Sequence, residues 1–287
     1  MKYATIRLGT YRKDDVSMTL KIYSFGGGQM VEAMLRAALK KKVITPETTG
    51  ITDISSDRVN YLTDTYHIQA SQQPDWTAVE NADLVILGVR PQDNWQEIMK
   101  ELVAHHYQKD VLSIIAGVTV AQLSSQEDLF AITRIIPNTL TDVAMGYSGV
   151  VKNNRANQTV IEDFLNSFGK VDYIDESLLD VFTGYGVAGP NYIYNFLISF
   201  TNAGVLAGMP RQQANKLALE NLRAAAAFVE QSGKHPAELL DINNSAGGVG
   251  ITAQHELDKS TFSAGIENAV LAAVKRTKEL GKQNKGD

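Results

Sequence analysis

Short apolar segments alternate with helical patterns along roughly the first 174 residues of the chain. This alternation predicts βαβ units arranged around a parallel sheet. Two of the segments, LVILGV and VLSIIAG, are apolar at nearly every position, as expected for central strands that helices cover on both faces. The predicted strands are residues 22–25, 50–54, 84–89, 111–115 and 131–136.

Beyond residue 174 the pattern becomes helical. Residues 178–182, 192–206, 211–231 and 262–280 have helical spacing and many small side chains, which predicts an all-α C-terminal region. The third of these segments carries one broad face of small and apolar residues. That face suits packing within the chain as well as packing against a second copy. Its members are Ala214, Leu217, Ala218, Leu222, Ala225 and Val229.

The composition argues against several classes of function. A formal net charge of −5 over 287 residues gives no sign of a nucleic-acid partner, whose binding proteins usually carry a basic face. Cysteine is absent, which excludes disulfides and cysteine-based zinc sites. No run of about 18 apolar residues is present, so we expect no membrane partner and a cytoplasmic protein. The histidines show no metal-ligand spacing, and no metal site is predicted.

A glycine-rich turn follows the first predicted strand in the sequence IYSFGGGQMV. A glycine turn between a strand and a helix is the setting of a dinucleotide-binding fingerprint. Gly26 makes the tight turn in this interpretation, and Gly28 lets the backbone approach a pyrophosphate. Val31 stands where a third glycine or alanine is usual, and its larger side chain is expected to separate strand and helix. An ordinary glycine-rich turn remains the alternative. The residues predicted to bind the cofactor here are Gly26, Gly27, Gly28, Gln29 and Met30.

The end of the second predicted strand is where an adenosine ribose is expected. Asp53 at this point favours NAD, whereas Ser55, Ser56 and Arg58 favour the 2′-phosphate of NADP. Alternatively, Ser55 or Ser56 caps the following helix and Arg58 is solvated. The sequence leaves the choice between NAD and NADP open.

Three further loops follow predicted strands, and ligands of open α/β sheets bind at the carboxyl ends of strands. Asn138 carries an amide able to bond a nicotinamide or a ribose, although a simple Pro-Asn turn explains it equally. The cofactor-binding residues predicted in these loops are Val89, Arg90, Pro91, Ala116, Gly117 and Asn138.

The expected division of the chain has three parts. Residues 1–17 are largely polar and aperiodic and precede Met18, which comes shortly before the first predicted strand, so they are interpreted as an N-terminal extension. Residues 18–176 are predicted to form an α/β Rossmann domain with a mostly parallel, doubly wound sheet. Residues 177–287 are predicted to form an all-α domain.

An ordered series of motifs resembles the pyrroline-5-carboxylate reductase family from about residue 18 to residue 280. The motifs are GGGQM, VRPQ, SIIAG, RIIPNT, TGYGVAGPNY, AGVLAGMPR and NSAGG. The resemblance implies a Rossmann domain followed by a helical dimerisation domain that interlocks with that of a second subunit in a homodimer or a higher homo-oligomer. It also implies hydride transfer from NADPH or NADH to the imine of 1-pyrroline-5-carboxylate, which gives proline.

The resemblance further implies a substrate site in the helical domain. The carboxylate of the imino acid is expected in a cradle of backbone N–H groups before a helix, although a helix-to-helix turn would also use these glycines. Glu176 matches an acidic position of the family and is interpreted as ordering the substrate or supplying a proton through water; an ordinary helix-start carboxylate is the alternative. Asn195 is the second candidate catalytic residue. The predicted substrate-binding residues are Gly189, Ser245, Ala246, Gly247, Gly248, Val249 and Gly250.

Departures from the family pattern cluster in the substrate half. Hydroxyl side chains are missing before Gly189 and near Gly250, and Ile198 replaces an acidic residue. Two alternative functions therefore stay open: a divergent imine reductase that acts on another imino acid, and a non-catalytic NAD(P)-binding paralogue.

Overall fold

The architecture is taken from a computed structural model that describes residues 19–124, 129–156 and 158–283. The predicted extension, residues 1–17, lies outside the described residues together with Met18.

One eight-stranded sheet forms the N-terminal half of the molecule, with strand order β3-β2-β1-β4-β5-β6-β7-β8. Strands β1 to β6 run parallel, β7 is antiparallel to β6, and β8 is parallel to β7. The order of the first six strands is that of dinucleotide-binding sheets, so the predicted Rossmann architecture is confirmed. The strands are β1 (Ile22–Phe25), β2 (Thr49–Thr52), β3 (Gln69–Ser71), β4 (Leu84–Leu87), β5 (Asp110–Ser113), β6 (Ala131–Ile136), β7 (Gly146–Lys152) and β8 (Gly169–Tyr173).

The five predicted strands are all present, and β2, β4 and β5 end two residues earlier than expected. Three strands were not predicted. Edge strands β3 and β8 contain exposed polar side chains, and β7 contains Gly146 and Gly149, a residue type that is depleted in strands. None of the three therefore shows a continuous apolar run.

Helices cover both faces of this sheet. Side chains alternate between the faces along each strand, so Ile22 and Ile86 join a core beneath α1 and α6, whereas Tyr23 and Val85 join a second core on the opposite face. The helices are α1 (Gln29–Lys40), α2 (Ser56–Tyr66), α3 (Trp76–Asn81), α4 (Trp95–Ala104), α5 (Val120–Ser124) and α6 (Gln158–Ser167).

Two bulky residues near the glycine turn are accommodated by glycines that face them. A Cβ on Gly50 would lie 2.6 Å from the ring of Tyr23, its register partner across β1 and β2. A Cβ on Gly88 would overlap the Cγ2 atom of Val31. The room for Val31, which stands where a smaller residue is usual, therefore comes from the absence of a side chain at Gly88.

The rest of the described chain is helical, as predicted. A single 3-10 turn (Glu176–Leu178) leads into α7 (Leu179–Phe182), and a π-helical turn (Thr183–Val187) follows. The remaining helices are α8 (Gly189–Leu206), α9 (Arg211–Ser232), α10 (Pro236–Asn243), α11 (Val249–Asp258) and α12 (Phe262–Gln283). Glycine or proline residues lie at the breaks between α8, α9, α10 and α11, whereas Lys259, Ser260 and Thr261 separate α11 from α12. Helices α10 and α11 were not predicted.

The helical region has little core of its own. Ala214 and Ala218 of α9 are buried, and a Cβ on Gly204 of α8 would lie 3.0 Å from the Cβ of Ala214. Leu217 on the same predicted face is half exposed, and Leu206 is 90% exposed. Only part of the α9 face therefore packs within the chain. The other exposed large apolar residues of α8 to α12 include Ile193, Ile198, Phe200, Phe228, Ile242, Val249, Ile251 and Leu271.

The junction between the sheet and the helical region lies close to the predicted domain boundary. The last strand ends at Tyr173 and the helical region starts at Glu176. The division at residues 176 and 177 stays a prediction. None of the described helices is both long enough and apolar enough to cross a bilayer.

Candidate active site

The turn after β1 has the backbone geometry that a dinucleotide fingerprint needs. Gly26 has a φ of +93°, and a Cβ at this position would lie 2.7 Å from the carbonyl oxygen of Gly88. Both the left-handed conformation and the close approach of the β4 end therefore require glycine here. A Cβ on Gly27 would lie 2.6 Å from the Cδ1 atom of Leu62 in α2, so this second glycine lets α2 pack against the turn.

Gly28 differs from its neighbours because space is open in front of it. A Cβ placed there would have no atom within 4 Å, and the residue is exposed at the N-cap of α1 with no side-chain cap hydrogen bond. Backbone N–H groups at a helix N-terminus attract anions. The N-terminus of α1, which begins with Gln29 and Met30, is therefore suited to hold a pyrophosphate.

A cleft of about 800 Å³ runs along the carboxyl ends of β1, β2 and β4. It brings together Gly26, Gly28, Val89 and Arg90 from the predicted cofactor set, along with Asp53. Gln29 and Met30 line a neighbouring depression of about 480 Å³ between α1 and the turn after β6. The residues lining the cleft do not include the other predicted cofactor residues, which are Gly27, Ser55, Arg58, Pro91, Ala116, Gly117 and Asn138.

Asp53 sits directly after β2 and faces the glycine turn. Its Oδ2 atom accepts a hydrogen bond from the backbone N–H of Gly27 at 2.8 Å, and its Oδ1 atom accepts one from that of Ser55 at 3.0 Å. A carboxylate offers about four acceptor positions. Acceptor capacity therefore remains for a ligand in the cleft.

For the segment after Asp53, the structure agrees with the alternative in which a serine caps α2 but not with the solvated Arg58 that this alternative included. Ser55 is the N-cap of α2, and its hydroxyl accepts from the backbone N–H of Arg58 at 3.3 Å, as the capping alternative requires. The expectation of a solvated Arg58 is wrong. Its Nε donates to the carbonyl oxygen of Gly27 at 2.5 Å, and its Nη2 donates to the carboxylate of Glu32. The guanidinium is therefore held between α1 and α2.

Glu32 is a buried carboxylate that no sequence motif singles out. It lies in the first turn of α1 and accepts hydrogen bonds from Arg36, Arg58, Tyr61 and Tyr66. Burial alone would raise the pKa of Glu32, but the hydrogen bonds from Tyr66 and Arg58, with the charge of Arg58, outweigh it and lower that pKa below its usual value. Burial and the bond to Glu32 raise the pKa of Tyr66 to about 12. The cluster is therefore an ionised carboxylate surrounded by donors.

The loop after β4 forms the next part of the cleft edge. Arg90 is exposed, and its guanidinium donates to both carboxylate oxygens of Asp93, at 3.0 and 3.3 Å. These bonds, together with one from the backbone N–H of Arg90, lower the pKa of Asp93. Pro91 is half-buried, Ala116 is exposed, and Gly117 has a φ of +77°. Their roles toward a cofactor stay predictions.

Asn138 is buried and bonded within the protein. Its Oδ1 caps the 3-10 turn after β6 by accepting from the backbone N–H of Leu140 at 3.1 Å, and its Nδ2 donates to the carbonyl oxygen of Gly186 at 3.3 Å. These contacts favour the turn alternative over a direct bond to the nicotinamide. They also connect the sheet to the π-helical turn, a feature often found at functional sites.

Glu176 is joined to the sheet by an ion pair. Its Oε1 accepts from the Nη1 of Arg134 at 3.0 Å and from the backbone N–H of Val120 at 2.8 Å. The Arg134 side chain is 7% exposed and that of Glu176 is 32% exposed. This geometry favours a positioning role at the start of the helical region, and proton supply by Glu176 stays a prediction.

The other two candidates in the helical region lie on α8. Asn195 is exposed, and its Nδ2 donates to the carbonyl oxygen of Asn191 one turn earlier, at 2.8 Å. Gly189 begins the helix, and a Cβ there would have no atom within 4 Å. Neither residue is enclosed by the rest of the described chain, so a site that includes them has to be completed by another molecule.

The segment predicted as the anion cradle forms a tight turn before α11. Gly247 has a φ of +67°, the backbone N–H of Gly248 donates to the carbonyl oxygen of Ser245 at 3.0 Å, and Gly248 is the N-cap of α11. This tight turn leaves Ala246 and Val249 exposed. The cradle therefore presents a helix N-terminus to the outside of the single chain. Among the described residues, no group of three or more histidine, aspartate or glutamate side chains could hold a metal ion.

Two family models match the two halves of the chain. Residues 21–117 match a model described as NADP oxidoreductase, coenzyme F420-dependent, and residues 176–280 match one described as pyrroline-5-carboxylate reductase dimerisation. The second match supports a homo-oligomer. The first supports a nicotinamide-dependent oxidoreductase with NAD or NADP as its cofactor.

Individual relatives give the same assignment. Pyrroline-5-carboxylate reductase of Synechocystis is 31% identical over 270 residues, which cover 93% of this chain and all of the relative. The structure of such a reductase from Coxiella burnetii has a TM-score of 0.81 at 23% identity and covers 92% of this chain and 99% of its own. The Plasmodium falciparum structure, solved with NADP bound, has a TM-score of 0.77 at 24% identity, with coverage of 91% and 98%. The chain therefore belongs to the pyrroline-5-carboxylate reductase family.

Proposed function

We propose that this chain reduces 1-pyrroline-5-carboxylate to L-proline, with NADH or NADPH as the hydride donor. The observation that carries the proposal is the open space in front of Gly28 at the start of α1, on a chain whose helical half matches the dimerisation domain of these reductases.

The cleft residues account for cofactor binding. The N-terminus of α1 offers backbone N–H groups to the pyrophosphate, and Asp53 offers free acceptor positions to the adenosine ribose. The loop of Val89 and Arg90 limits the cleft on the side of β4. When bound there, the reduced cofactor would supply a hydride for the imine carbon of the protonated imine, whose carbon–nitrogen π pair would become the lone pair of the amine.

The substrate half requires binding and orientation more than acid–base chemistry. A protonated imine is already electrophilic, so holding it against the nicotinamide contributes much of the rate. The cradle formed by residues 245–250 offers the N-terminus of α11 to the substrate carboxylate. Glu176 holds Arg134 and the start of the helical region in place.

Dimerisation follows from the surface of the helical region. A large set of apolar side chains on α8 to α12 is exposed in the single chain, among them Leu206, Phe228 and Leu271. Large apolar side chains exposed along several neighbouring helices are suited to burial against a second chain. We therefore propose a homodimer in which the helical regions interlock and each cradle meets a cofactor cleft. Sedimentation equilibrium should give twice the chain mass, and a stable monomer would contradict this arrangement.

The activity is tested by following NADH and NADPH oxidation with 1-pyrroline-5-carboxylate. We expect turnover that requires the imine and forms one proline for each cofactor oxidised. Six-membered imino acids in the same assay test the alternative of a divergent imine reductase, which the missing hydroxyls near Gly189 and Gly250 keep open. Cofactor binding without oxidation by any imine would favour a non-catalytic paralogue. A cytoplasmic location is part of the proposal and is tested by cell fractionation.

A further inference from the structure

The adenosine end of the cleft is acidic. Four carboxylates line the cleft (Asp53, Asp93, Glu97 and Glu101), whereas Arg90 is the one cation among its lining residues in the part of the chain that the structure describes. The Arg90 guanidinium is itself paired with Asp93. The cleft therefore presents an excess of negative charge to any ligand that enters it.

Asp53 stands where the ribose hydroxyls are expected. Two hydrogen bonds, from the N–H groups of Gly27 and Ser55, fix the orientation of its carboxylate. The remaining lone pairs can accept from the 2′- and 3′-hydroxyls of an NADH ribose. A 2′-phosphate in the same place would bring two further negative charges against this carboxylate, which is unfavourable.

Arg58 is the nearest cation along the chain, and its guanidinium is already bonded within the protein. The guanidinium is bonded to the Gly27 carbonyl oxygen and to Glu32, and its Cζ atom lies over the ring of Tyr61, 5.1 Å from the ring centroid. Glu32 is held in turn by Tyr66 at 2.7 Å. To reach a phosphate, Arg58 would have to give up its hydrogen bonds to Gly27 and to the buried Glu32, whose remaining charge partner would be Arg36, and losing these charge-assisted bonds is unfavourable.

The residues next to Asp53 supply no replacement charge. Ile54 follows it directly and is 81% exposed beside the cleft. An exposed apolar side chain here is suited to contact an adenine ring. The Ser55 hydroxyl is engaged as the cap of α2, and no Lys or Arg lies between Asp53 and Arg58 in the sequence.

We infer that this chain selects NADH over NADPH, with Asp53 as the residue that favours the ribose hydroxyls and Glu32 as the residue that keeps Arg58 from a 2′-phosphate. The inference rests on the proposed function for the presence of a nicotinamide cofactor. It goes beyond that function by naming which cofactor the site prefers and which side chains decide it.

Cofactor binding without imine tests this selection separately from catalysis. The wild-type protein is titrated with NADH and with NADPH, and binding is monitored by fluorescence energy transfer from protein to cofactor. The Kd for NADH should be lower than the Kd for NADPH by about tenfold or more. Asp53→Asn should reduce this ratio to about threefold or less, because an amide has no charge to repel a phosphate. The matched control is Asp57→Asn, which removes an exposed carboxylate outside the lining of the cleft and should leave the ratio unchanged.

Arg58→Ala distinguishes the proposed arrangement, in which Glu32 and Gly27 hold the guanidinium, from one in which Arg58 binds the 2′-phosphate of NADPH. If Glu32 and Gly27 hold this guanidinium, the variant should change the two Kd values by the same factor. A selective loss of NADPH affinity would overturn the inference, and so would a wild-type protein that binds NADPH as tightly as NADH. Either result would leave the reductase proposal intact, whereas binding of neither cofactor would contradict both. Circular dichroism confirms that each variant is folded.

Discussion

Gly28→Val tests whether the start of α1 holds the cofactor pyrophosphate. A Cβ at this position meets no atom within 4 Å, and the residue has a φ of −61° and a ψ of 174°, a conformation that valine adopts readily. The Cβ of the new side chain would therefore occupy the open space in front of the helix N-terminus.

The expected effect on stability is small. Valine is a poorer N-cap than glycine by about 0.5–1 kcal/mol. The loss of glycine's conformational freedom in the unfolded chain offsets this by about 0.4–1 kcal/mol. The melting temperature should therefore stay within about 2–4 °C of wild type.

The expected effect on binding is much larger. A hydrogen bond to a charged group contributes about 1.5–3 kcal/mol, so losing one bond to the pyrophosphate weakens binding by about 10- to 150-fold. Calorimetric titration with NADH measures the loss. Gly26→Ala is the contrasting variant, because its Cβ would lie 2.7 Å from the carbonyl oxygen of Gly88, and it should lower stability itself. A folded Gly28→Val protein with unchanged affinity would refute the assignment.

Three further changes probe the structure around the site. Glu176→Gln removes the charge opposite the buried Arg134 and should lower the free energy of unfolding, measured by urea denaturation, by about 1–3 kcal/mol. The affinity for NADH should not change. Reduced turnover in a variant of full stability would instead indicate a catalytic role for Glu176. The pKa of Glu32 is lowered from 4.5 in the folded protein. The stabilisation by ionised Glu32 should therefore be fully present above pH 4.5 and should be lost as the pH falls through the pKa of Glu32 in the folded protein. Comparing acid unfolding of wild type and Glu32→Gln tests this, and a pH-independent difference would contradict it. Gly88→Ala should cost about 1–3 kcal/mol by overpacking against Val31, part of which Val31→Ala should restore in thermal melts; additive effects would refute that contact.

Local signals in the sequence were enough to predict the mostly parallel Rossmann sheet, five of its strands and the position of its glycine turn. An apolar run followed by glycine needs no knowledge of distant residues, because both features act within one strand and one turn. The all-α second half followed equally from helical spacing. The edge strands β3 and β8 were missed, because exposed polar residues in them hide any apolar run.

Pairings between distant residues could not be predicted. Arg58 and Glu32 lie on different helices, and nothing within either helix indicates that they meet. The ion pair of Arg134 with Glu176 joins a strand to the start of the helical region in the same way. Val31 by itself predicts a wider separation of strand and helix, whereas its fit depends on the missing side chain at Gly88. Such complementarity arises only when the chain is folded.

The most direct test of the central claim is the transfer of a labelled hydride. NADH carrying deuterium at the transferable C4 position is incubated with 1-pyrroline-5-carboxylate and the protein, and the product is analysed by mass spectrometry and NMR. The proposed reaction predicts L-proline with one deuterium on the ring carbon that formed the imine. Absence of labelled proline under conditions in which NADH binds would contradict it.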